Sequence, residues 1–133
     1  MTNGTYTASA PAGAEDWVSA FFRTADACDA DALAASFAER IDMRFANNPP
    51  ATTREEARDG LRAFLTHLTG MRHEAHARFT DGEGVVQLAT VTYILPGGRE
   101  VPLPVASHLR RNEAALIDRL WIYIDLAPLF AHP

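Results

Sequence analysis

The chain has 133 residues, 47% of them apolar and 22% charged, which fits one soluble globular domain and excludes both a disordered chain and a membrane span. Its net charge of −5, with every basic residue an arginine and none clustered, excludes the concentrated basic surface that nucleic acid demands. A single cysteine, Cys28, permits no internal disulfide, and the expected setting is the cytoplasm.

Residues 1–13 are small and polar, with neither a basic start nor an apolar run, and read as a loose tail rather than a signal peptide. Residues 14–133 read as one domain. Trp17, Val18, Phe21, Phe22, Ala25 and Cys28 recur at helical spacing behind Glu15 and Asp16, so the pattern predicts an amphipathic helix over 14–28 with Cys28 as a buried, inert thiol. Asp31 is placed to cap a second, shorter helix with Leu33, Ala34 and Phe37 turned inward. Ile41 to Phe45 alternates as a short strand and runs into Asn47-Asn48-Pro49-Pro50, where two prolines forbid helix and remove ladder donors. Thr53-x-x-Glu56 forms a capping box, and Ala57, Leu61, Phe64, Leu65 and Leu68 hold one stripe until Gly70 offers a stop.

From His73 the period changes to two. Residues 73–80, 85–95, 99–110 and 115–125 alternate as strands, separated by the turns Asp81-Gly82-Glu83-Gly84, Pro96-Gly97-Gly98 and Arg111-Asn112-Glu113. Turns this short allow only antiparallel neighbours. Helices first and strands last predict an α+β fold, with about three N-terminal helices packed on one face of a curved, mainly antiparallel sheet of four to six strands. In the closing strand Ile117, Arg119, Trp121, Tyr123 and Asp125 share one side, and Leu120, Ile122, Ile124 and Leu126 the other. The second side is core; the first sets two large aromatics beside a carboxylate.

This order of elements, the Trp17/Phe21 opening, the run Phe45-Ala46-Asn47-Asn48-Pro49-Pro50 and the close Ile122-Tyr123-Ile124-Asp125-Leu126-Ala127-Pro128-Leu129 resemble the SnoaL-like branch of the nuclear-transport-factor-two-like superfamily over residues 14–131. The resemblance implies a cone whose mouth opens between the helices and the inner sheet face, and a homodimer formed through the outer face. Family members include polyketide cyclases, ketosteroid isomerase, limonene epoxide hydrolase and non-catalytic binders, so the resemblance implies a fold more firmly than an activity.

Residue by residue, most family chemistry is missing. Where ketosteroid isomerase keeps a proton-shuttling Asp before a proline, this chain has Asn48 before Pro49, and an amide takes no proton at neutral pH. Aligning the epoxide hydrolase turn with Leu95-Pro96-Gly97-Gly98-Arg99 puts Leu88 and Thr90 where its Arg-x-Asp pair stands and Ile122 where its last acid stands. Of its Tyr-x-Asn pair only Asn47 survives, with Phe45 replacing the tyrosine.

The same alignment turns Leu88, Thr90, Leu103, Val105, Ser107, Leu120, Ile122 and Ile124 toward the cone, a greasy lining suited to a small apolar or polyketide-like ligand, with Trp17 and Phe21 closing it from the helix side. The plainer reading of these side chains is a filled core. Tyr93, Val91 and Gln87 fall on the opposite, outward side. The acid that family cyclases carry near the end of the last strand has one counterpart, Asp125, which reads either as a general base or as a helix cap. Tyr123 and His108 are the further candidate catalytic groups, with His108 inward only if the sheet faces are reversed. His73 and His76 are one residue short of a metalloprotease helix motif and face opposite ways on a strand, so they read as solvated histidines. No metal or cofactor is expected. Two functions follow: an enzyme that moves a proton on an apolar metabolite by cyclase or isomerase chemistry, or a non-catalytic binding or dimerisation module. The second expects a cavity without ionisable side chains.

Overall fold

The computed structural model describes residues 5–7, 16–80 and 82–131. The helix α1, Trp17–Asp26, starts where Asp16 accepts a hydrogen bond from the Ser19 N–H at 2.7 Å. It ends two residues short of Cys28, which turns the chain in a left-handed conformation (φ 58°) rather than continuing the stripe. Burial and the Asp26 charge push the Cys28 thiol upward. The second helix, α2, covers only Ala30–Ala34, and its cap is Asp29 rather than Asp31. Asp31 lies in the first turn and pairs with Arg62 of α3, Arg54–Leu65. At the start of α3 Thr53 caps as expected, but Glu56 reaches the N–H of Thr52 at 2.9 Å, one residue outside the standard box.

Phe37 is not helical. Ser36 donates its hydroxyl back to Leu33 O at 2.6 Å, and the strand β2, Phe37–Phe45, begins at once. Three-residue strands β1 (Thr5–Thr7) and β3 (Ala51–Thr53) and the long strands β4 (Gly70–Thr80), β5 (Val85–Ile94), β6 (Glu100–Arg111) and β7 (Ile117–Ile124) complete the sheet. Its order is β1-β4-β5-β6-β7-β2-β3, with β4 to β7 forming the expected antiparallel meander. Among the described residues the sheet has seven strands: β2 to β7 make its curved body, and β1, inside the stretch expected as a loose tail, extends its edge beside β4. The rest of that stretch lies outside the described residues. The pairing of β2 with β7 is parallel, Phe45 opposite Ile122, and the long connection through β3, α3 and the strands β4 to β6 allows it.

The helices cover one face. Phe37, Leu109, Ile117 and Leu120 are the large apolar side chains fully enclosed between the helices and the β2–β7 half of the sheet. Each such burial contributes about 1.5–3 kcal/mol. A second cluster on the inner face of β5 and β6 gathers Val91, Tyr93, Leu103 and Val105 under Leu129 of a 3₁₀ turn, Ala127–Phe130.

Candidate active site

The inner face follows from register. One row across the sheet reads Arg78, Gln87, Ser107, Ile122, Phe45. Gln87, Ala89, Val91 and Tyr93 therefore face the helices, and Leu88, 40% exposed, and Thr90 lie on the outer face, the reverse of the expectation from alignment. The correction has a physical source: Val85 to Ile94 is apolar on both alternating faces, so a slip of one residue leaves its pattern unchanged. Gln87 is satisfied in the interior by Arg78 Nε at 2.7 Å. The same guanidinium donates to Asp16 and Ser19, both at 2.7 Å, tying the start of α1 to the sheet.

Between the helices and this face lies a cavity with about 50 Å³ of free space, room for one or two waters at roughly 30 Å³ each. Its walls are mainly apolar, Phe21 and Phe22 from α1, Phe64 and Leu65 from α3, Val105 and Ile122 from the sheet. Three lining residues are polar: His73, Tyr93 and Ser107.

His73 is held firmly. Its Nδ1 lies 2.7 Å from Asp26 Oδ1, and its backbone N–H donates to Asp26 Oδ2 at 3.1 Å, so both carboxylate oxygens serve one residue. The Phe22 ring packs 4.8 Å from the imidazole, whose side chain is 11% exposed. A carboxylate at Nδ1 assigns the ring proton there and leaves the Nε2 lone pair as the group able to exchange a proton. Among the described residues nothing occupies Nε2. His73 thus departs from the solvated histidine of the sequence reading. His76 instead turns outward, its Nε2 2.8 Å from Thr90 Oγ1.

A bulge explains the placement. Ala75 pairs with Ala89 and Ala77 with Leu88, so His76 is an extra residue on β4. The alternation resets there, and His73 and Arg78, five positions apart, both face the helices. Tyr93 stands edge-on to Phe64, and burial pushes its hydroxyl well above the ordinary tyrosine range, keeping it a neutral donor. Ser107, opposite Ile122, is buried on the same inner face, in the row of Gln87.

The structure brings Phe21, Phe45, Val105, Ser107, Leu120 and Ile122 to the cavity. Leu103 and Ile124 pack in the neighbouring core cluster. Trp17 stands apart, under the guanidinium of Arg111, and Asn47 is exposed in the turn after β2. Tyr123 is 61% exposed and His108 packs edge-on to Trp121, both on the outer face. Asp125 is exposed too, and its Oδ1 accepts from the Ala127 N–H at 3.0 Å, so it shapes the turn into the 3₁₀ helix, whose cap position is Leu126. Sequence reasoning missed Asp26, His73 and Tyr93. One signal existed: Asp26 follows Phe22 by four residues, a carboxylate on the buried stripe of α1.

A family model described as a SnoaL-like domain matches residues 18–119. No curated protein matches the sequence. Among solved structures, a putative SnoaL-like polyketide cyclase from Jannaschia sp. CCS1 is similar at 16% identity, covering 87% of this chain and 92% of that one with a TM-score of 0.69. An epoxide hydrolase of M. tuberculosis, described as LEH-like, is similar at 18% identity over 85% and 83% of the two chains, TM-score 0.69. The epoxide hydrolase/cyclase-like enzyme SalBIII of pyran ring formation in salinomycin is similar at 16% identity over 82% and 88%, TM-score 0.69. Identities this low speak for the fold alone. By its domain match and its three-helix, curved-sheet architecture, the chain belongs to the SnoaL-like domain family, within the nuclear-transport-factor-two-like superfamily.

Proposed function

We propose that this protein is an enzyme of the cyclase or isomerase type that moves a proton on a small apolar carbonyl compound inside the cone. The observation that carries the reading is the His73–Asp26 pair, 2.7 Å between ring nitrogen and carboxylate, on the wall of an otherwise apolar cavity. His73 Nε2 takes a proton from the carbon beside the carbonyl, and the imidazolium formed is stabilised by Asp26. Tyr93, two residues along β5 from Val91, the pairing partner of His73, supplies the hydroxyl donor for the enolate oxygen. With a β,γ-unsaturated substrate, return of the proton from His73 to the γ-carbon gives isomerisation; attack of the enolate carbon on a second carbonyl, whose alkoxide then takes the proton back from His73, gives cyclisation. Asp26 is a positioning residue, since it reaches the cavity through His73.

The family-level role is in keeping with the cyclase and epoxide-hydrolase relatives, but no Asp or Glu among the described residues lines this cavity, so a carboxylate-activated water has no support. A non-catalytic module expects a cavity without ionisable groups, and His73 and Tyr93 argue against it. The small free space requires Phe21, Phe64 or Met71 to swing aside as substrate binds. We also infer a homodimer through the outer sheet face, where Phe79, Leu88 and Tyr123 are 41%, 40% and 61% exposed. The single thiol supports a cytoplasmic setting.

The test is proton exchange. The protein in D2O is incubated with β-tetralone, an apolar ketone with acidic α-hydrogens, and deuterium uptake is followed by NMR. Wild-type protein is expected to accelerate uptake, and His73→Gln to abolish the acceleration with only a modest fall in melting temperature. Equal acceleration by both proteins would refute the assignment of His73; ketone binding without acceleration would favour the binding module.

A further inference from the structure

A second cavity lies outside the cone, between α1, the α2–β2 connection and the β6–β7 turn. Trp17, Ala20, Phe21 and Thr24 form one wall at helical spacing, Ser36 and Ile117 face them, and Arg111 stands at the rim. The cavity holds about 220 Å³ against about 50 Å³ in the cone. That is below the roughly 300–1,000 Å³ of pockets for drug-sized ligands, so the occupant is small.

The polar groups select its charge. The guanidinium carbon of Arg111 lies 4.4 Å from the centre of the Trp17 ring. Attraction of the cation to the ring face does not use its N–H donors as hydrogen bonds to an acceptor atom. Among the described residues no carboxylate or carbonyl accepts from them. The two hydroxyls of the wall are already committed as donors, Thr24 Oγ1 to Ala20 O at 3.0 Å and Ser36 Oγ to Leu33 O at 2.6 Å. Arg111 is therefore the strong donor that this cavity presents, above flat aromatic walls.

We propose that the cavity binds a small aromatic carboxylate, its ring against Trp17 and Phe21 and its carboxylate forked by Arg111. The site is independent of proton transfer in the cone, although Phe21 lines both cavities and makes them neighbours. A neutral ring would find the same walls but would leave the guanidinium edge unmatched.

Benzoate is the probe. Titration into 15N-labelled protein is followed at the indole N–H resonances of Trp17 and Trp121, assigned with Trp17→Phe. A saturable shift at Trp17 and none at Trp121 is expected. Arg111→Gln should weaken benzoate binding at least about tenfold with an unchanged melting temperature, since it removes a charge-assisted fork. Benzamide, similar in shape but uncharged, should bind wild-type protein at least about tenfold more weakly than benzoate, which tests the charge without any substitution. Equal binding of benzamide, undiminished binding by Arg111→Gln, or a shift confined to Trp121 would overturn the proposal. So would the lack of any saturable shift.

Discussion

Asp26 and His73, 47 residues apart in sequence, are joined twice: carboxylate to ring nitrogen at 2.7 Å and carboxylate to backbone N–H at 3.1 Å. The second bond fixes the backbone of β4 against the end of α1, and the first fixes the tautomer of the ring. Orientation of an imidazole by a carboxylate is what turns a histidine into a directed proton acceptor.

Asp26→Asn tests that coupling. The amide keeps the size of the carboxylate but loses its charge, so it no longer favours the imidazolium. Deuterium uptake by β-tetralone should fall by about 100-fold or more, while stability falls only by about 1 kcal/mol for the weakened hydrogen bonds. Nitrogen NMR of the His73 ring separates the two roles. In the wild type the proton should reside on Nδ1; in the variant the Nε2–H tautomer should gain population. An unchanged tautomer and unchanged exchange rate would make Asp26 merely structural.

Tyr93 gives a prediction at high pH. Burial raises its folded-state value above that of the unfolded chain, so above about pH 10 the unfolded state loses a proton that the folded state keeps. Stability should then decline with rising pH, by up to about 1.4 kcal/mol per unit from this group. Urea midpoints measured from pH 9 upward should show a shallower decline in Tyr93→Phe, whose ring fills the same space. Identical slopes in the two proteins would show that the hydroxyl is not desolvated.

Asp16 should matter at the acid end. Partial burial opposes its ionisation, but the Ser19 N–H and the Arg78 guanidinium outweigh that and hold the carboxyl below its usual range. Its stabilisation is full above the unfolded-state value and is lost as pH falls through the lower folded-state one. Asp16→Ala removes the α1 cap and strips a partner from the buried Arg78, with an expected loss of about 2–3 kcal/mol in urea unfolding. The difference between variant and wild type should narrow in strong acid; a constant difference would deny the role of the charge.

The outer face predicts an assembly. Leu88→Arg places a charge amid Phe79 and Tyr123 on a surface that already carries Arg44 and Arg119 against Trp121. Sedimentation should show a dimer for the wild type and a monomer for the variant, with the fold retained because Leu88 contributes little to the core. A wild-type monomer would refute the inferred homodimer.

The fold was largely legible in local pattern. Thr53 before Glu56 announced α3, and the Gly-rich turns announced the meander, because caps and tight turns are decided by neighbouring residues. Phe37 was misplaced on α2 since its apolar character suits helix and strand alike, and the hydroxyl of Ser36 that closes the helix is a weak signal. The parallel pairing of Phe45 with Ile122 was hidden because no local turn records a contact made across the whole chain. The lining falls on the plainly apolar face of β6 and β7, where Val105, Ser107 and Ile122 stand. The expectation was reversed at Leu88 and Thr90, where both faces are apolar. The His73–Asp26 pair escaped because it needs the docking of α1 on β4 and a bulge at His76, neither of which is encoded locally.

The most direct test is chemical rescue of His73→Ala. Removing the ring should reduce β-tetralone exchange by about 100-fold or more, and free imidazole in the buffer should restore part of the rate in the vacated space, saturably. Exchange at the wild-type rate in His73→Ala would contradict the assignment of His73 as the proton-transferring group.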